Sequence, residues 1–327
     1  MLQEIKIAPG IVKDNAELAS EGRWTDGDKI RFRDVGRGGM PQAMGGQERA
    51  TEDTVAGKAR ALRIWEDNGG SRLAAIGTHS KIYLYQAGEI HDVTPIATSG
   101  SKTNVLGVSA GGVTVTATYT AHGSTENTVV HVNASTTSGG IAFGSAGTML
   151  TSRLQSSQGS AVITITHTGH GLSSGHFATL GSSSALNGIP TAEIDAAHRV
   201  YRISDDIYAI QAYTSATSSG AGGGTPTYTY FEPYTVTASV DDDTFTFDVT
   251  TTSVGSTTSG GTVQFKFEEN IGRENTVANA GFSTGTYSRG NYSLPSAESD
   301  LRARVWHLSN YGQEAIANYQ KSKLFRW

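Results

Sequence analysis

The chain has 327 residues, 40 glycines, no cysteine and a net charge of −5, and hydrophobic residues make up 37% of it. The lack of cysteine excludes disulfides and cysteine-ligated zinc, and the acidic balance argues against a surface that grips DNA phosphates. The start, MLQEIKIAPG, lacks a secretory signal, and no run of about 18 apolar residues occurs. We therefore expect a protein that is made in a cytoplasm and does not insert into a membrane.

Residues 1–50 are predicted to form an N-terminal arm with one hairpin. The stretch 23–33, RWTDGDKIRFR, predicts two short strands that turn at Asp26-Gly27. Residues 34–50 lack a periodic pattern and predict an extended arm, which stays ordered by lying on another surface.

Basic and aromatic residues alternate in the predicted hairpin. Two interpretations are open, a subunit interface and a DNA-binding patch. Arginine and aromatic residues are enriched at protein interfaces, so the interface is favoured over DNA in a chain of negative net charge. The candidate interface residues are Arg23, Trp24, Arg31, Phe32 and Arg33.

Residues 51–100 are predicted to form the first blade of a β-propeller. Four alternating strands are expected, separated by Asn/Gly-type turns, and a blade of this kind cannot bury both of its faces alone. The predicted strands centre on 61–65, 73–76, 82–85 and 90–93.

The end of the chain repeats part of this blade. Residues 304–327 align with residues 63–85, so 301–327 are predicted to begin a second blade. Because two blades do not close a propeller, we expect either a longer polypeptide or neighbouring chains to complete it. Aromatic residues on strand positions are predicted to form the blade core, namely Trp65, Tyr83, Tyr85 and Trp306.

Residues 101–270 are rich in Ser, Thr and Gly and contain a second repeat. Residues 113–141 align without gaps on 161–189, and the strand–acidic turn–strand unit at 202–210 recurs at 239–247. The two front halves therefore precede the two back halves.

The simplest interpretation of this order is a nested insertion, because insertion into a surface loop costs little entropy. Two intertwined halves of one larger sandwich are the alternative. The nested interpretation places module 1 at 101–156 and 233–270, module 2 at 157–232, and a long return loop at 271–300. The predicted fold class is all-β, an incomplete or split β-propeller with two inserted β-sandwich-like modules.

A group of histidines in the modules raises the question of a zinc site. His167, His170 and His176 lie close together in module 2, with His122 and His131 in module 1. Neutral imidazoles bind zinc, but His122 and His170 occupy the same place in two Thr-X-His-Gly turns. This repetition favours a structural role in which the ring closes a turn by bonding to the backbone.

Two acidic runs, Asp205-Asp206 and Asp241-Asp242-Asp243, raise the question of calcium. Aspartate between two short strands is typical of a hairpin turn, and no EF-hand spacing occurs. We therefore predict turns, without metal or cofactor.

Two stretches, 107–111 and 281–285, match the G-x-S-x-G pattern of a nucleophile elbow. A true elbow joins a strand to a helix, whereas a strand pattern follows the first match and a Gly-rich stretch the second. We predict no catalytic residues and no enzyme.

Three stretches together resemble a known family. They are 8–37, with Glu-Gly-Arg-Trp and Ile-Arg-Phe-Arg; the first blade at 61–96; and the segments GFSTGTYSRGNYSL and RVWHLSNYGQEAIANY near the end. With these residues the chain resembles the nozzle proteins of short-tailed bacteriophages, also called packaged-DNA stabilisation or tail tubular protein B-like proteins.

The resemblance implies a structural subunit of the virion tail. In that family six copies form a ring below the portal and adaptor, extend the DNA channel, retain the packaged genome and pass it during ejection. Tail fibres or a tail needle or plug attach to the ring. The negative charge agrees with a channel through which genomic DNA slides without specific binding.

Two rival functions remain open. The chain could be a tail adhesin whose inserted modules bind a host glycan or protein through exposed aromatics, namely Tyr208, Tyr213, Tyr228, Tyr230 and Tyr234. It could also be a depolymerase, which would require a pair of carboxylates at a cleft, and no such pair stands out in the sequence.

Overall fold

The computed structural model describes residues 8–12, 23–24, 26–33, 40–44, 46, 49, 51, 54–86, 88–269, 305–319 and 323–327. The chain divides into two compact units, Met1–Glu52 and Asp53–Trp327. The predicted all-β class is confirmed, since the described residues form 27 strands and one four-residue helix, α1 (Thr191–Ile194). The predicted return loop at 271–300 lies outside the described residues, as does the second G-x-S-x-G match.

The first unit contains two small ladders. Strand β1 (Ala8–Ile11) pairs in parallel with β2 (Arg23–Trp24), and β3 (Ile30–Arg33) pairs antiparallel with β4 (Met40–Ala43). The prediction that 23–33 is one hairpin is therefore wrong, and part of the predicted extended arm is strand β4.

The physical reason lies in the local turn. The Asp26 carboxylate accepts a hydrogen bond from the Gly27 N–H at 2.8 Å, so the Asp-Gly pair bends the chain through its own side chain. Strand β2 is only two residues long and takes β1 as its partner. Strand β3 is then free to pair with β4.

Residues 59–92 form one antiparallel sheet of four strands, as the alternating pattern and the turns predicted. The strands follow one another in chain order across the sheet: β5 (Ala59–Glu66), β6 (Arg72–Thr78), β7 (Ile82–Gln86) and β8 (Glu89–Asp92). The predicted turn at Asn68-Gly69-Gly70 is present, and the Asp67 carboxylate closes it by accepting from the N–H groups of Gly69 and Ser71 at 2.8 Å.

The end of the chain forms a three-stranded antiparallel sheet with the same strand order. Its strands are β25 (His307–Tyr311), β26 (Glu314–Asn318) and β27 (Phe325–Arg326). The alignment of 304–327 on 63–85 matches Trp306 with Trp65, and this match is wrong. Trp65 lies within β5 opposite Leu73, whereas Trp306 precedes β25. The first hairpin has a five-residue loop and the second a two-residue loop, so the strands pair in different registers.

Residues 96–268 form the two remaining sheets. Eleven strands make up the larger sheet, with the path β23-β10-β11-β22-β21-β12-β24-β9; β13 and β16 also pair with β21, and β17 pairs with β16. The smaller sheet has the order β18-β19-β15-β14-β20. The strands are β9 (Ile96–Thr103), β10 (Leu106–Val108), β11 (Thr114–Thr118), β12 (Val129–Ala134), β13 (Ser145–Thr148), β14 (Leu154–Ser156), β15 (Val162–Thr166), β16 (Phe177–Ser183), β17 (Ala197–Arg199), β18 (Tyr201–Arg202), β19 (Ile207–Gln211), β20 (Gly220–Gly222), β21 (Gly224–Ser239), β22 (Thr244–Asp248), β23 (Thr257–Ser259) and β24 (Thr262–Glu268).

Two separate apolar cores lie in this region. The first is formed by residues between 105 and 143 and between 234 and 267, and it is rich in aromatic rings such as Phe245 and Phe265. The second is formed by residues between 149 and 230. The chain thus leaves the first core, builds the second and returns. The 16-residue strand β21 carries it back, because β21 pairs with β13 and β16 near its start and with β12 and β22 near its end. No sheet of the described residues closes on itself.

Candidate functional site

The five candidate interface residues lie on two strands of the first unit, β2 and β3. Trp24 and Phe32 come together, with ring centroids 6.4 Å apart. Arg23 is exposed on β2, Arg33 ends β3, and Arg31 donates from Nη2 to Gln42 Oε1 across the β3–β4 ladder at 3.2 Å. Among the described residues, the buried Trp24 Nε1 has no hydrogen-bond partner.

The four predicted blade-core aromatics divide between the two faces of the β5–β8 sheet. Trp65 and Trp306 are buried where this sheet meets the β25–β27 sheet, and Trp65 Nε1 donates to the Gln313 carbonyl at 3.3 Å. Tyr83 and Tyr85 alternate with Ile82 and Leu84 along β7 and therefore lie on the opposite face. Tyr83 is buried there and its hydroxyl accepts from the Ala56 N–H at 2.9 Å, while Tyr85 is half-buried.

The prediction that His122 and His170 close turns is confirmed. His122 Nδ1 accepts from the Ser124 N–H at 3.0 Å, and its Nε2 lies 3.1 Å from the Asp241 carbonyl. His170 repeats the arrangement, with the Leu172 N–H at 2.9 Å and the Ser204 carbonyl at 3.0 Å. Each buried ring thus connects its turn to the acidic hairpin of the same module by hydrogen bonds. Because Nδ1 accepts a hydrogen bond and Nε2 faces a carbonyl, the ring carries its proton on Nε2.

The acidic runs lie in these hairpins and bind backbone. Asp206 Oδ1 accepts from the Gly169 N–H at 2.9 Å, and Asp243 Oδ1 accepts from the Ala121 N–H at 2.8 Å. Within the described ranges no group of three or more His, Asp or Glu side chains could hold a metal ion.

The first G-x-S-x-G match connects two strands. Gly107 lies in β10, the turn follows, and β11 begins at Thr114. The Gly112 N–H donates to the Ser109 carbonyl at 2.9 Å, which closes the turn. This is a strand–turn–strand connection, without the helix that a nucleophile elbow requires.

A buried polar cluster, which sequence reasoning missed, joins four separate stretches of the second unit. Glu268 lies at its centre. Glu268 Oε1 accepts from His131 Nε2 at 2.9 Å and from Arg199 Nη1 at 3.1 Å. Lys81 Nζ lies 3.2 Å from Glu268 Oε2 and 2.5 Å from Asp92 Oδ2. We call Lys81, Asp92, His131, Arg199 and Glu268 the junction.

Arg199 contributes most of the links across the junction. Besides Glu268, it reaches Asp92, with Nη1 3.3 Å from Oδ2. It donates to the Gly175 carbonyl at 2.9 Å and to the Thr94 carbonyl at 2.5 Å, and its guanidinium lies 4.5 Å from the centre of the Phe177 ring. One side chain from β17 thus holds the segment after β8 against the strands of the modules.

The junction combines two carboxylates with two basic side chains, and its surroundings favour the charged forms of Glu268 and Lys81. Burial alone would raise the pKa of Glu268, but the hydrogen bond from His131 and the charges of Lys81 and Arg199 lower that pKa to about 2. Burial lowers the pKa of His131, against the opposing effect of Glu268, so the ring is neutral at pH 7. For Lys81, burial favours the neutral amine, yet the charges of Asp92 and Glu268 outweigh it and raise the pKa.

A groove of about 290 Å³ opens beside the junction and is lined by Lys81, His131, His176 and Tyr234, among others. Burial, together with the nearby His131 and Lys81, lowers the pKa of His176 to about 4, so this ring too is neutral at pH 7. Lys81 is already held by two carboxylates. The arrangement therefore links separate parts of the chain through side chains that are paired with one another.

The aromatic surface expected for an adhesin does not form. Tyr208 and Tyr230 are buried in the second core, where their hydroxyls lie 3.1 Å apart. Tyr228 and Tyr234 are half-buried. Of the five predicted residues, Tyr213 alone is largely exposed, at 94%.

Comparison with known proteins adds little. No family model matches the chain, and no curated protein matches it. Among solved structures it is similar to the phage phi92 endosialidase, with 12% sequence identity and a TM-score of 0.24, over 90% of this chain and 48% of that chain. The chain thus spans about half the length of that structure, and a likeness at this TM-score carries no argument about fold or activity. Among the described residues, no helix has the length and apolar character needed to cross a membrane.

Proposed function

We propose that the chain is a structural subunit of a bacteriophage tail, belonging to a nozzle ring that extends the DNA channel below portal and adaptor. One observation carries the proposal. Two small antiparallel sheets of the same strand order, from residues 59–92 and 307–326, pack face to face as neighbouring propeller blades do. This packing supports the split propeller, and the resemblance of three stretches to nozzle proteins supplies the identity of the ring.

The mechanism is mechanical. Copies of the chain, six in the related ring, surround a channel that retains the packaged genome and passes it during ejection. The adaptor lies above, and tail fibres or a needle attach around or below. The net charge of −5 supports passage of DNA without tight phosphate binding. The subunit is made and assembled in the host cytoplasm and resides in the virion.

The junction suits such a role. A tail that holds DNA under pressure needs domains that keep a fixed orientation, and a buried network of charge-assisted hydrogen bonds fixes geometry. The charged groups of this network bind each other, which supports a structural part and no enzymatic one. The alternative hypothesis of an adhesin depended on an exposed aromatic surface, and Tyr208 and Tyr230, two of its five residues, are buried.

Tail assembly in an infected cell tests the proposal. Removal of residues 1–50, or the paired change Arg23→Glu and Arg31→Glu, should leave folded protein that no longer enters tails. The matched control Arg202→Glu alters an equally basic residue of the inserted region, at a side chain 42% exposed, and should assemble normally. Tails that form with full efficiency from the 1–50 deletion would show that the arm is no interface.

A further inference from the structure

Strand β21 changes partner along one of its two edges. On this edge it pairs with β16 as far as Phe231, opposite Phe177, and with β22 from Val236, opposite Phe247. Residues 232–235 lie between these two ladders and have no strand partner there among the described residues, whereas β12 covers their other edge. At about 3.3 Å per residue, the opening from Phe231 to Val236 is about 16 Å long. We call residues 232–235 the open edge.

The direction of the main-chain groups follows from the hydrogen bonds of Val236. Its N–H donates to the Thr128 carbonyl at 2.8 Å and its carbonyl accepts from the Asn127 N–H at 2.9 Å, both in the segment that leads into β12. Because this direction alternates along a strand, the carbonyl of Pro233 and the N–H of Thr235 point to the open edge. Proline has no N–H and is tolerated in a sheet at such an edge. The open edge therefore offers one acceptor and one donor, spaced as in an antiparallel ladder.

An acidic groove of about 570 Å³ lies along the open edge. His176, which precedes β16, stands at one end, and Asp248, the last residue of β22, stands at the other. Glu232 and Tyr234 lie on one face of β21, where the Tyr234 hydroxyl donates to Glu232 Oε2 at 2.5 Å. Of the described residues that line this groove, Glu232 and Asp248 are exposed acids and none is a lysine or arginine. Lys81 lines the smaller adjoining groove, where two carboxylates already hold it. We call the larger groove the edge groove.

We propose that the edge groove binds a short extended peptide of a partner protein, with a basic residue at its centre. A peptide backbone supplies the two groups that the open edge lacks, an N–H for Pro233 and a carbonyl for Thr235, as strands added to sheet edges do. In the antiparallel direction these two bonds place the central peptide residue opposite Tyr234. Side chains of directly opposite residues share one face of a sheet, so a basic side chain there meets the Tyr234 ring and the Glu232 carboxylate.

Other classes of ligand fit the edge groove less well. An anion such as a phosphate would meet two carboxylates and, among the described lining residues, no basic side chain. An apolar ligand would leave the main-chain groups of the open edge unpaired, which costs about 1–3 kcal/mol for each buried group. A neutral saccharide carries no positive charge to pair with Glu232 and Asp248. A basic peptide satisfies both the main-chain groups and the charge of the groove.

Hydrogen exchange at the Thr235 amide, followed by NMR on the threonine-labelled full chain, tests the proposal. In the free chain this amide should exchange faster than that of Thr229, which lies on the same edge of β21 and is paired with β16. The probe is a pool of end-blocked pentapeptides with arginine at the centre and valine, threonine or serine elsewhere, and a matched pool carries glutamate at the centre. The arginine pool should slow exchange at Thr235 about tenfold or more, and the glutamate pool should leave it unchanged.

A charge variant and a matched control accompany this measurement. Glu232→Gln/Asp248→Asn removes both charges of the edge groove and keeps the shapes of the side chains. Its affinity for the arginine pool should therefore fall about tenfold or more. Asp205→Asn removes an exposed charge outside the groove and should bind the arginine pool as the unaltered chain does.

Three results would overturn the proposal. A Thr235 amide that is as well protected as that of Thr229 in the free chain would show that the edge is not open. An equal response to the two pools, or none to the arginine pool, would show that the groove does not select a basic peptide. A response to soluble dextran oligosaccharides, without one to the arginine pool, would make the groove a saccharide site. None of these results decides the tail assignment, because all of them are obtained on the purified chain.

Discussion

Replacement of Glu268 by glutamine is the most direct perturbation of the junction. The change keeps the shape of the side chain and removes its charge. Glu268 and Asp92 balance Lys81 and Arg199, and the Glu268 side chain is 2% exposed. The variant therefore leaves one positive charge without a counter-charge in the interior.

The structure gives the size of the effect in two ways. Removing one partner of a buried, hydrogen-bonded ion pair costs about 3–5 kcal/mol. Independently, a Glu268 pKa lowered from 4.5 to about 2 corresponds to about 3 kcal/mol of stabilisation of the charged form. Because the folded-state pKa is depressed, this stability is fully present above the unfolded value of 4.5, and hence at pH 7. We expect Glu268→Gln to lower the free energy of unfolding by about 3 kcal/mol.

Urea unfolding at pH 7, followed by two signals, measures the cost. Trp24, Trp65, Trp306 and Trp327 are the four tryptophans, so fluorescence reports the first unit and the stacked sheets. Circular dichroism reports the whole chain. The control Asp205→Asn breaks the exposed ion pair with Arg202 and should cost less than about 1 kcal/mol.

A second change checks that the charges act as a unit. Adding Lys81→Met to Glu268→Gln restores the balance of charge, so the double variant should be more stable than the sum of the two single effects by about 0.5–3 kcal/mol. The reasoning fails if Glu268→Gln costs no more than Asp205→Asn, or if the two junction changes are additive.

Three further perturbations are predicted. His170→Phe keeps a ring against Tyr208 but removes both bonds to the backbone, so it should cost about 1–3 kcal/mol and raise hydrogen exchange in its turn; unchanged exchange would contradict the clasp. Gly77→Ala should force the stacked sheets apart, cost about 1–3 kcal/mol and shift tryptophan emission, and an unaltered spectrum would count against the packing. The pKa of His176 falls from 6.5 to about 4 on folding, so between pH 4 and pH 6.5 the unfolded chain binds more protons than the folded one. The melting temperature should therefore drop from pH 7 to pH 4, and a rise over this range would contradict the prediction.

Much of the local structure could be predicted because it depends on neighbouring residues. The alternation in 59–92 and its Asn-Gly turn specify the four strands of the first sheet. His122 and His170 could be assigned to turns because the same Thr-X-His-Gly motif occurs twice, and each ring bonds to the backbone two residues ahead. In each case the sequence signal and its physical cause lie within a few residues of each other.

What the sequence did not indicate depends on contacts between distant segments. Lys81 and Glu268 are far apart in the chain, and each has the pattern of an ordinary charged residue at the end of a strand. Only the return of the chain through β21 and β24 brings them together. The alignment of Trp306 with Trp65 was wrong for a related reason. The loop between the first two strands has five residues in one sheet and two in the other, so aligned residues do not have equivalent partners on the neighbouring strand.

The central claim is that the chain is a ring-forming subunit of a phage tail. Intact particles, examined by denaturing mass spectrometry and by electron microscopy of the tail, test it most directly. The account predicts that peptides of this chain are found in purified tails and that density for its stacked sheets lies in a ring beneath the portal. A peripheral spike that contains the chain, with no copy around the channel, would contradict the account and favour the adhesin.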